Sequence, residues 1–328
     1  MNARVVAVMP VYNEARSLSL VLQSIGAQTF DRQRLYVVVV DGNSNDGSRE
    51  IIEAWFKESG MPGCVLVNRL RKIPISLNMG FRCAGRADVV VRLDAHTVYG
   101  PTYIADAISL LEKAGDDVGC IGAAYIPVPP RDFSGRVVEA LYTNPMGLGG
   151  AAYRFGDDVR EVDSAYLGVW PARVLIDAGG FDERLEANED AEMSARIQKM
   201  GFRVLRAPLP CRFIINRGMM VTVRQWHRYG YWRARMLWSD PRSIRVRHVA
   251  APAACLLGFA VVLSPFKIWL LPALAAYGAL IFRGRREREP IGITVATLFY
   301  FPLVQFAFVT GMLRSALGAG VLGRQKAG

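Results

Sequence analysis

Short apolar runs rich in valine recur through the first half of the chain, each closed by polar residues. The runs at 5–9, 36–40, 64–67 and 89–93 read as strands buried on both faces, the pattern of a parallel sheet. Helix-length stretches separate them: about 17–28, then from the 41–48 loop to about 59 with Asn45 or Asp46 as N-cap, 74–84 and 101–113. The alternation predicts an α/β fold with a mostly parallel, Rossmann-like sheet covered by helices on both faces. Two runs, 37–40 and 89–93, end in aspartates, Asp41 and Asp94. Open sheets of this kind bind ligands beyond the carboxyl ends of their strands, so these two acids are expected to share a crevice.

The second half is less regular. Strands are expected at 118–125 and 162–170, on either side of a Gly- and Pro-rich insert at 127–156. A helix over 188–200 stops at Gly201, with Ala191, Met193, Ala195, Ile197 and Met200 forming its apolar face. From 222 to 238, aromatic and apolar residues at helical spacing alternate with arginines. That pattern suits a helix lying in a membrane interface, and equally an ordinary helix packed on the sheet. Beyond it, 249–282 contains one charged residue, Lys267, and 291–313 is a second apolar stretch. Both read as membrane-embedded, against the alternative of a helical core in a large soluble protein. A break at 264–267 leaves two arms of about sixteen residues, roughly 24 Å each at 1.5 Å per residue. A hydrocarbon core is near 30 Å thick, so a re-entrant hairpin and two full crossings are equal readings, while 291–313 is long enough for one span. The expected divisions are 1–215 for the globular domain, 216–248 for the interface helix and 249–328 for the membrane helices.

Composition sharpens this division. The chain of 328 residues is 52% hydrophobic, with a mean hydropathy of +0.18. The apolar excess collects after residue 249. The net charge of +11 could point to nucleic acid, but eleven arginines lie between Arg203 and Arg247, just ahead of the apolar tail. Arg283, Arg285, Arg286 and Arg288 separate the two apolar stretches. Basic residues flanking spans mark the cytoplasmic side and attract anionic headgroups, so a membrane partner is expected and no nucleic acid. Five scattered cysteines without a C-x-x-C pair suggest neither disulfides nor zinc. With a strand starting at residue 5, no signal peptide is expected, which places the globular part in the cytosol, at the inner membrane.

Four polar segments could carry chemistry. Pro10-Val11-Tyr12-Asn13-Glu14 leaves the first strand with groups that can hydrogen-bond a ribose or base, although a loop acid is usually just solvated. Asp41 sits where its carboxylate can accept from a base N–H, and Asp46 suits either the site or a helix cap. In Asp94-Ala95-His96, residues i and i+2 leaving a strand point the same way, so one carboxylate and one imidazole can face a common divalent ion on a diphosphate. The imidazole favours Mn²⁺ more than an all-oxygen site would, with Mg²⁺ still open. In the plainer reading His96 bonds a neighbouring loop and Asp94 alone meets metal. Asn188-Glu189-Asp190 opens a helix, where acids are favoured by the dipole. Two adjacent carboxylates exceed what capping needs, and one suits a general base for an acceptor hydroxyl.

The succession Pro10-Val11-Tyr12-Asn13-Glu14, Asp41 to Ser48, Asp94-x-His96, Gly179-Gly180-Phe181-Asp182 and Glu189-Asp190 resembles the family 2 glycosyltransferases of GT-A fold, over roughly residues 4–230. Gln225-Trp226-His227-Arg228-Tyr229 is similar to the Gln-x-x-Arg-Trp segment of processive members. With the apolar tail, the set looks most like the bacterial exopolysaccharide glucosyltransferases of the succinoglycan type, which extend polyprenyl-diphosphate-linked sugars on the cytoplasmic face. The resemblance implies that Pro10, Tyr12, Glu14 and Asp41 hold the uridine of a UDP-sugar, with Asn43 in the nucleotide-binding set. It implies that Arg71 or Lys72, with Asn78, meets donor phosphate or sugar, and that Asp94 and His96 bind Mn²⁺ or Mg²⁺ and diphosphate. Asp190 becomes the catalytic base beside Glu189, and Gln225, Trp226 and Arg228 face diphosphate or acceptor. The implied reaction is inverting transfer to a lipid-linked saccharide. The alternatives are a polyprenyl-phosphate sugar synthase and a catalytically idle nucleotide-sugar-binding subunit. Asp-x-His in place of Asp-x-Asp, and tyrosine in place of the last tryptophan, depart from the family pattern.

Overall fold

In a computed structural model, the structure describes residues 3–83, 85, 87–128, 130–144, 158–215, 218–239, 249, 253, 257, 258, 261, 264, 270–286 and 289–325. The chain divides into two compact units, one formed by Met1–Val128 and Ala152–Ile214, the other by Pro129–Ala151 and Ile215–Gly328.

The first unit is built on β1 (Val5–Val11), β2 (Leu35–Asp41), β3 (Gly63–Val67), β4 (Val89–Arg92), β6 (Val118–Ala123), β8 (Arg160–Glu161), β9 (Val169–Pro171) and β10 (Arg203–Ala207). They form one sheet in the order β3-β2-β1-β4-β9-β6-β10-β8. Pairing is parallel from β3 through β4 and between β6 and β10, and antiparallel around β9 and at the β8 edge. A small second sheet joins β5 (Thr97–Tyr99), β11 (Cys211–Ile214) and β7 (Pro127–Val128).

Strand alternation sorts the valine runs into two cores. Val5, Ala7, Met9 and Val11 point to one face with Val37 and Val39. That face is covered by α1 (Ala15–Gly26), α2 (Ser48–Ser59) and α4 (Tyr103–Ala114). Val6, Val8, Val38 and Val40 point to the other, under α3 (Ile73–Arg82), α6 (Ala172–Asp177) and α7 (Glu189–Lys199). Burial on both faces is why these strands read as continuous apolar runs.

Two expectations change. The strand expected over 162–170 is reduced to β9 at its end: Leu167 takes a left-handed φ of 51°, which interrupts extended backbone just before it. The cap of α2 is Gly47, not Asn45 or Asp46. The Gly- and Pro-rich insert at 127–156 contains α5 (Phe133–Thr143), which belongs to the second unit. No expectation existed for β10 and β11.

The second unit contains α5, α8 (Met219–Ser239), α9 (Leu270–Arg283) and α10 (Ile291–Gln325). A Cβ on Gly230 would lie 2.0 Å from the Phe308 carbonyl oxygen, and one on Gly311 would lie 2.0 Å from that of His227. Glycine at both places lets the α8 and α10 backbones meet. α10 is long and apolar enough over Ile291–Gly318 to cross a membrane, by length and composition. Apart from isolated positions, the first arm of the expected 249–282 hairpin and its break at 264–267 lie outside the described residues.

Candidate active site

The loops leaving β1 and β2 are stitched together by short polar side chains. Gly42 N–H donates to the Val11 carbonyl at 2.7 Å. Asn13 N–H donates to Ser44 Oγ at 3.0 Å, and Glu14 N–H to Ser48 Oγ at 2.9 Å. Asp46 accepts from the backbone N–H of Ala15 at 3.0 Å and of Ser48 at 3.1 Å. It therefore locks the start of α1 to that of α2. Asn13 and Asn43 hold left-handed φ values of 54° and 60°, a conformation asparagine tolerates better than most residues.

Asp41 ends β2 fully buried, and its carboxylate accepts from Ser44 Oγ at 2.6 Å and from Ser44 N–H at 3.2 Å. Pro10 is the sixth residue of β1. Tyr12, 44% exposed, lies under the Arg71 guanidinium, 5.0 Å from the ring centroid. Arg71, rather than Lys72, therefore approaches this loop. Lys72 Nζ instead donates to the Glu183 carbonyl at 3.3 Å.

Asn78 is placed differently from the expectation of a donor contact. Its amide NH₂ donates to the Phe181 carbonyl and to Glu183 Oε1, both at 2.9 Å, and its Oδ1 accepts from Phe181 N–H at 2.8 Å. A Cβ on Gly180 (φ 75°) would lie 2.8 Å from Asn78 Oδ1. The Gly179-Gly180-Phe181 segment is thus fitted around Asn78, whose polar atoms are engaged by protein.

The centre of the site is a residue the apolar pattern concealed. Arg92, the last residue of β4, is buried, and its guanidinium donates to Asp94 Oδ1 at 3.2 Å, Glu189 Oε1 at 2.9 Å and Asp190 Oδ1 at 2.5 Å. β4 and the start of α7 are thereby joined by one cation, which brings Asp94, Glu189 and Asp190 together. Burial opposes its charge, yet the Asp190, Asp94 and Glu189 carboxylates hold the guanidinium well above its ordinary range. Burial pushes the Asp190 carboxyl up to about 7; Arg92 opposes this, and the Glu189 and Asp94 charges reinforce it. α7 starts from Asn188 in a left-handed conformation (φ 65°) without a side-chain cap bond. Glu189 and Asp190 stand in its first turn, where the helix dipole favours negative charge.

Because β4 closes at Arg92, Asp94 and His96 leave on a turn and not along the strand, and the shared direction expected for them does not follow. The Tyr99 hydroxyl accepts from Asp94 N–H at 2.7 Å and fixes that turn. His96 Nδ1 lies 3.7 Å from Glu14 Oε1, and its ring stands edge-on to Phe213 at 4.9 Å. β11 carries Phe213 there through its pairing with β5, and Tyr125 and Tyr166 continue the aromatic row. No signal in the sequence singled out Phe213. For Arg92 the signal was a lone charge inside a valine run. Among the described residues, no three histidine, cysteine or carboxylate side chains converge to hold a metal by themselves. Gln225, Trp226 and Arg228 lie on α8 in the second unit. There Gln225 Nε2 donates to Tyr229 Oη at 2.5 Å, and the Trp226 ring lies 5.9 Å from Phe308.

Residues 6–158 match the family described as Glycosyl transferase family 2. A succinoglycan biosynthesis protein, ExoA, of Rhizobium meliloti is 24% identical over 300 residues, covering 87% of each chain. An undecaprenyl-phosphate 4-deoxy-4-formamido-L-arabinose transferase of Pseudomonas savastanoi pv. phaseolicola is 35% identical over 149 residues, 44% of each chain. That match spans less than half of the relative's length. Among solved structures, a mannosyltransferase from Pyrobaculum calidifontis in complex with GDP-Man and Mn²⁺ superposes with a TM-score of 0.63 at 21% identity, covering 96% of this chain and 87% of that one. S. aureus TarS 1–349 in complex with UDP-GlcNAc gives 0.53 at 14% identity, covering 96% and 92%. The structural likenesses establish the fold. The architecture of the chain is that of the GT-A fold, and its 6–158 segment is the part similar to glycosyl transferase family 2.

Proposed function

We propose that this chain is an inverting glycosyltransferase that moves a sugar from a nucleoside diphosphate donor, read as a UDP-sugar, to a polyprenyl-diphosphate-linked saccharide in exopolysaccharide or envelope glycan synthesis. The observation that carries this reading is the buried Arg92 joining Asp94, Glu189 and Asp190 within 3.2 Å. A carboxylate whose proton affinity sits near neutral pH suits removal of a proton from an acceptor hydroxyl. Asp190 takes that proton as the hydroxyl oxygen attacks the anomeric carbon. The bond to the nucleoside diphosphate breaks in the same displacement, and the linkage inverts. Arg92, itself anchored by Glu189, holds Asp190 in position.

Pro10, Tyr12, Glu14, Asp41 and Asn43 receive the base and ribose. Lys72 and Arg71 stand on the phosphate and sugar side, with Asn78 shaping the wall behind them. Three carboxylates around one guanidinium leave net negative charge when ionised, which attracts a divalent cation. Asp94 and His96 fit a Mn²⁺ or Mg²⁺ ion only if diphosphate oxygens complete its ligands, consistent with the lack of a three-residue cluster among the described residues. Such an ion supplies charge stabilisation to the departing diphosphate. The Mn²⁺ in the Pyrobaculum structure supports the same reading. Gln225, Trp226 and Arg228 are assigned to diphosphate or acceptor from their motif. The apolar α10 and the arginines ahead of it support attachment to the inner membrane, with the first unit cytosolic.

The arabinose-transferase relative, whose name specifies undecaprenyl phosphate, favours a second acceptor class, the lipid phosphate itself. Incubating the full chain with radiolabelled nucleotide sugars, and either undecaprenyl phosphate or a lipid-linked saccharide extract, separates the two. Label entering the organic phase only with the extract supports the first reading. Label entering it with undecaprenyl phosphate alone supports the second, and no label with any sugar defeats both.

A further inference from the structure

Two cysteines that are far apart in the chain meet at one corner of the first unit. Cys64 is the second residue of β3, the edge strand of the large sheet. Its register sets it beside Val38, which lies beside Val8, so the three form one rank across β3, β2 and β1. Val8 and Val38 belong to the core under α3, and Cys64 packs against that core from its rim. Tyr36, two residues before Val38, points to the same face.

The fold brings Cys83 to this rank. β3 and β4 run parallel to β1 and β2, so the chain leaving β3 must return to the opposite end of the sheet before it enters β4. α3 makes that return. Its Gly80 lies over Val8, where a Cβ would come 2.2 Å from Val8 Cγ1. Cys83 follows three residues later, still helical in backbone (φ −71°, ψ −15°), and therefore on the Gly80 side of α3. It is exposed, whereas Cys64 is half-buried. Cys64 and Tyr36 stand near the amino ends of their strands, away from Asp41 and Asp94 at the carboxyl ends.

The side chains of Tyr36, Cys64 and Cys83 interact. Burial, the charge of Cys64 and hydrogen bonding with it push the Cys83 thiol up. Burial, hydrogen bonding with Cys64 and the charges of both cysteines do the same to the Tyr36 hydroxyl. Cys64 is thus the shared partner of both neighbours.

We propose that Cys64 and Cys83 are a redox-modification site and form a reversible disulfide. Both are free thiols in the structure, the resting form in a reducing compartment, where the disulfides that do form are transient and respond to oxidant. With hydrogen peroxide as oxidant, one thiol is oxidised to a sulfenic acid and a water is released. The second sulfur attacks the first, forming the S–S bond and expelling the hydroxyl group, which leaves with the thiol proton as a second water. The peroxide gains the two electrons that the thiols lose, and a dithiol reductant reverses the bond by exchange. The loop closed over 64–83 contains Arg71, Lys72 and Asn78, so the cross-link constrains the segment that carries them.

The test treats the full chain, purified in detergent and freed of reductant, with hydrogen peroxide. Remaining thiols are blocked with N-ethylmaleimide in denaturant, and the monomer band of a non-reducing gel is digested with trypsin for mass spectrometry. Cleavage after Lys57, Arg69, Arg82 and Arg86 puts Cys64 in peptide 58–69 and Cys83 in peptide 83–86. The expected product is these two peptides joined by one disulfide and separated again by dithiothreitol. Both cysteines still carrying maleimide would overturn the proposal. Cys83 taken to a sulfinic acid with Cys64 unlinked would overturn it too, as would links to Cys120, Cys211 or Cys255 in equal yield.

Discussion

A guanidinium ringed by three carboxylates makes each of them sensitive to the others. Removing Arg92 would leave Asp94, Glu189 and Asp190 buried without their shared cation, a change that typically costs 3–5 kcal/mol. Arg92→Met is therefore expected to unfold more easily in urea by about that amount. Arg92→Lys keeps the charge without the forked geometry and should retain most of the stability with a lower kcat. Equal stability of Arg92→Met and the parent would show that the cluster is not held by this residue. Asp190 predicts a pH dependence of its own. Folding raises its pKa from the ordinary 3.8 to about 7. The folded state thus holds the proton more tightly, and this contribution to stability is complete below about pH 4 and lost as pH rises through about 7. In metal-free protein, Asp190→Asn is expected to be more stable than the parent at pH 8, with the advantage shrinking towards pH 5. Transfer by the parent should rise with pH along an acid limb near 7, because only the ionised carboxylate accepts a proton. An acid limb near 4 would contradict this environment for Asp190.

At the scale of elements, the continuous valine runs located β1, β2 and β4 because strands covered on both faces need apolar residues at every position. The same rule hid Arg92, whose charge is satisfied by side chains far away in sequence. It also overextended the strand at 162–170, where Leu167 adopts a left-handed backbone that composition does not announce. Asp41, Asp94, Glu189 and Asp190 were legible as acids at strand and helix ends. That Asn78 serves the 179–183 loop was not, since this depends on a fold-distant partner. Asn78→Ala would leave Phe181 N–H and its carbonyl without their side-chain partner. About 1–3 kcal/mol of stability should be lost for such groups, measured by chemical denaturation. A neutral result would remove Asn78 from its supporting role. In the second unit, Gly230→Ala places a methyl 2.0 Å from the Phe308 carbonyl oxygen, a contact that backbone must relieve by shifting. A lower melting temperature in detergent is expected, and an unchanged one would mean that α8 and α10 are not in close backbone contact.

Taken whole, the molecule joins a GT-A unit to a helical unit with an apolar face and many arginines. The net charge of +11 and the apolar α10 suit a bilayer better than a nucleic acid. Composition showed this bias, but the close approach of α8 and α10 at Gly230 and Gly311 became visible only in the structure. The central claim, that the carboxylates gathered by Arg92 perform glycosyl transfer, is tested most directly by measuring donor binding and sugar transfer in Asp190→Asn side by side. The account predicts calorimetric binding of the nucleotide sugar within a few-fold of the parent, with no label reaching the lipid fraction. Transfer at the parental rate by Asp190→Asn would contradict it.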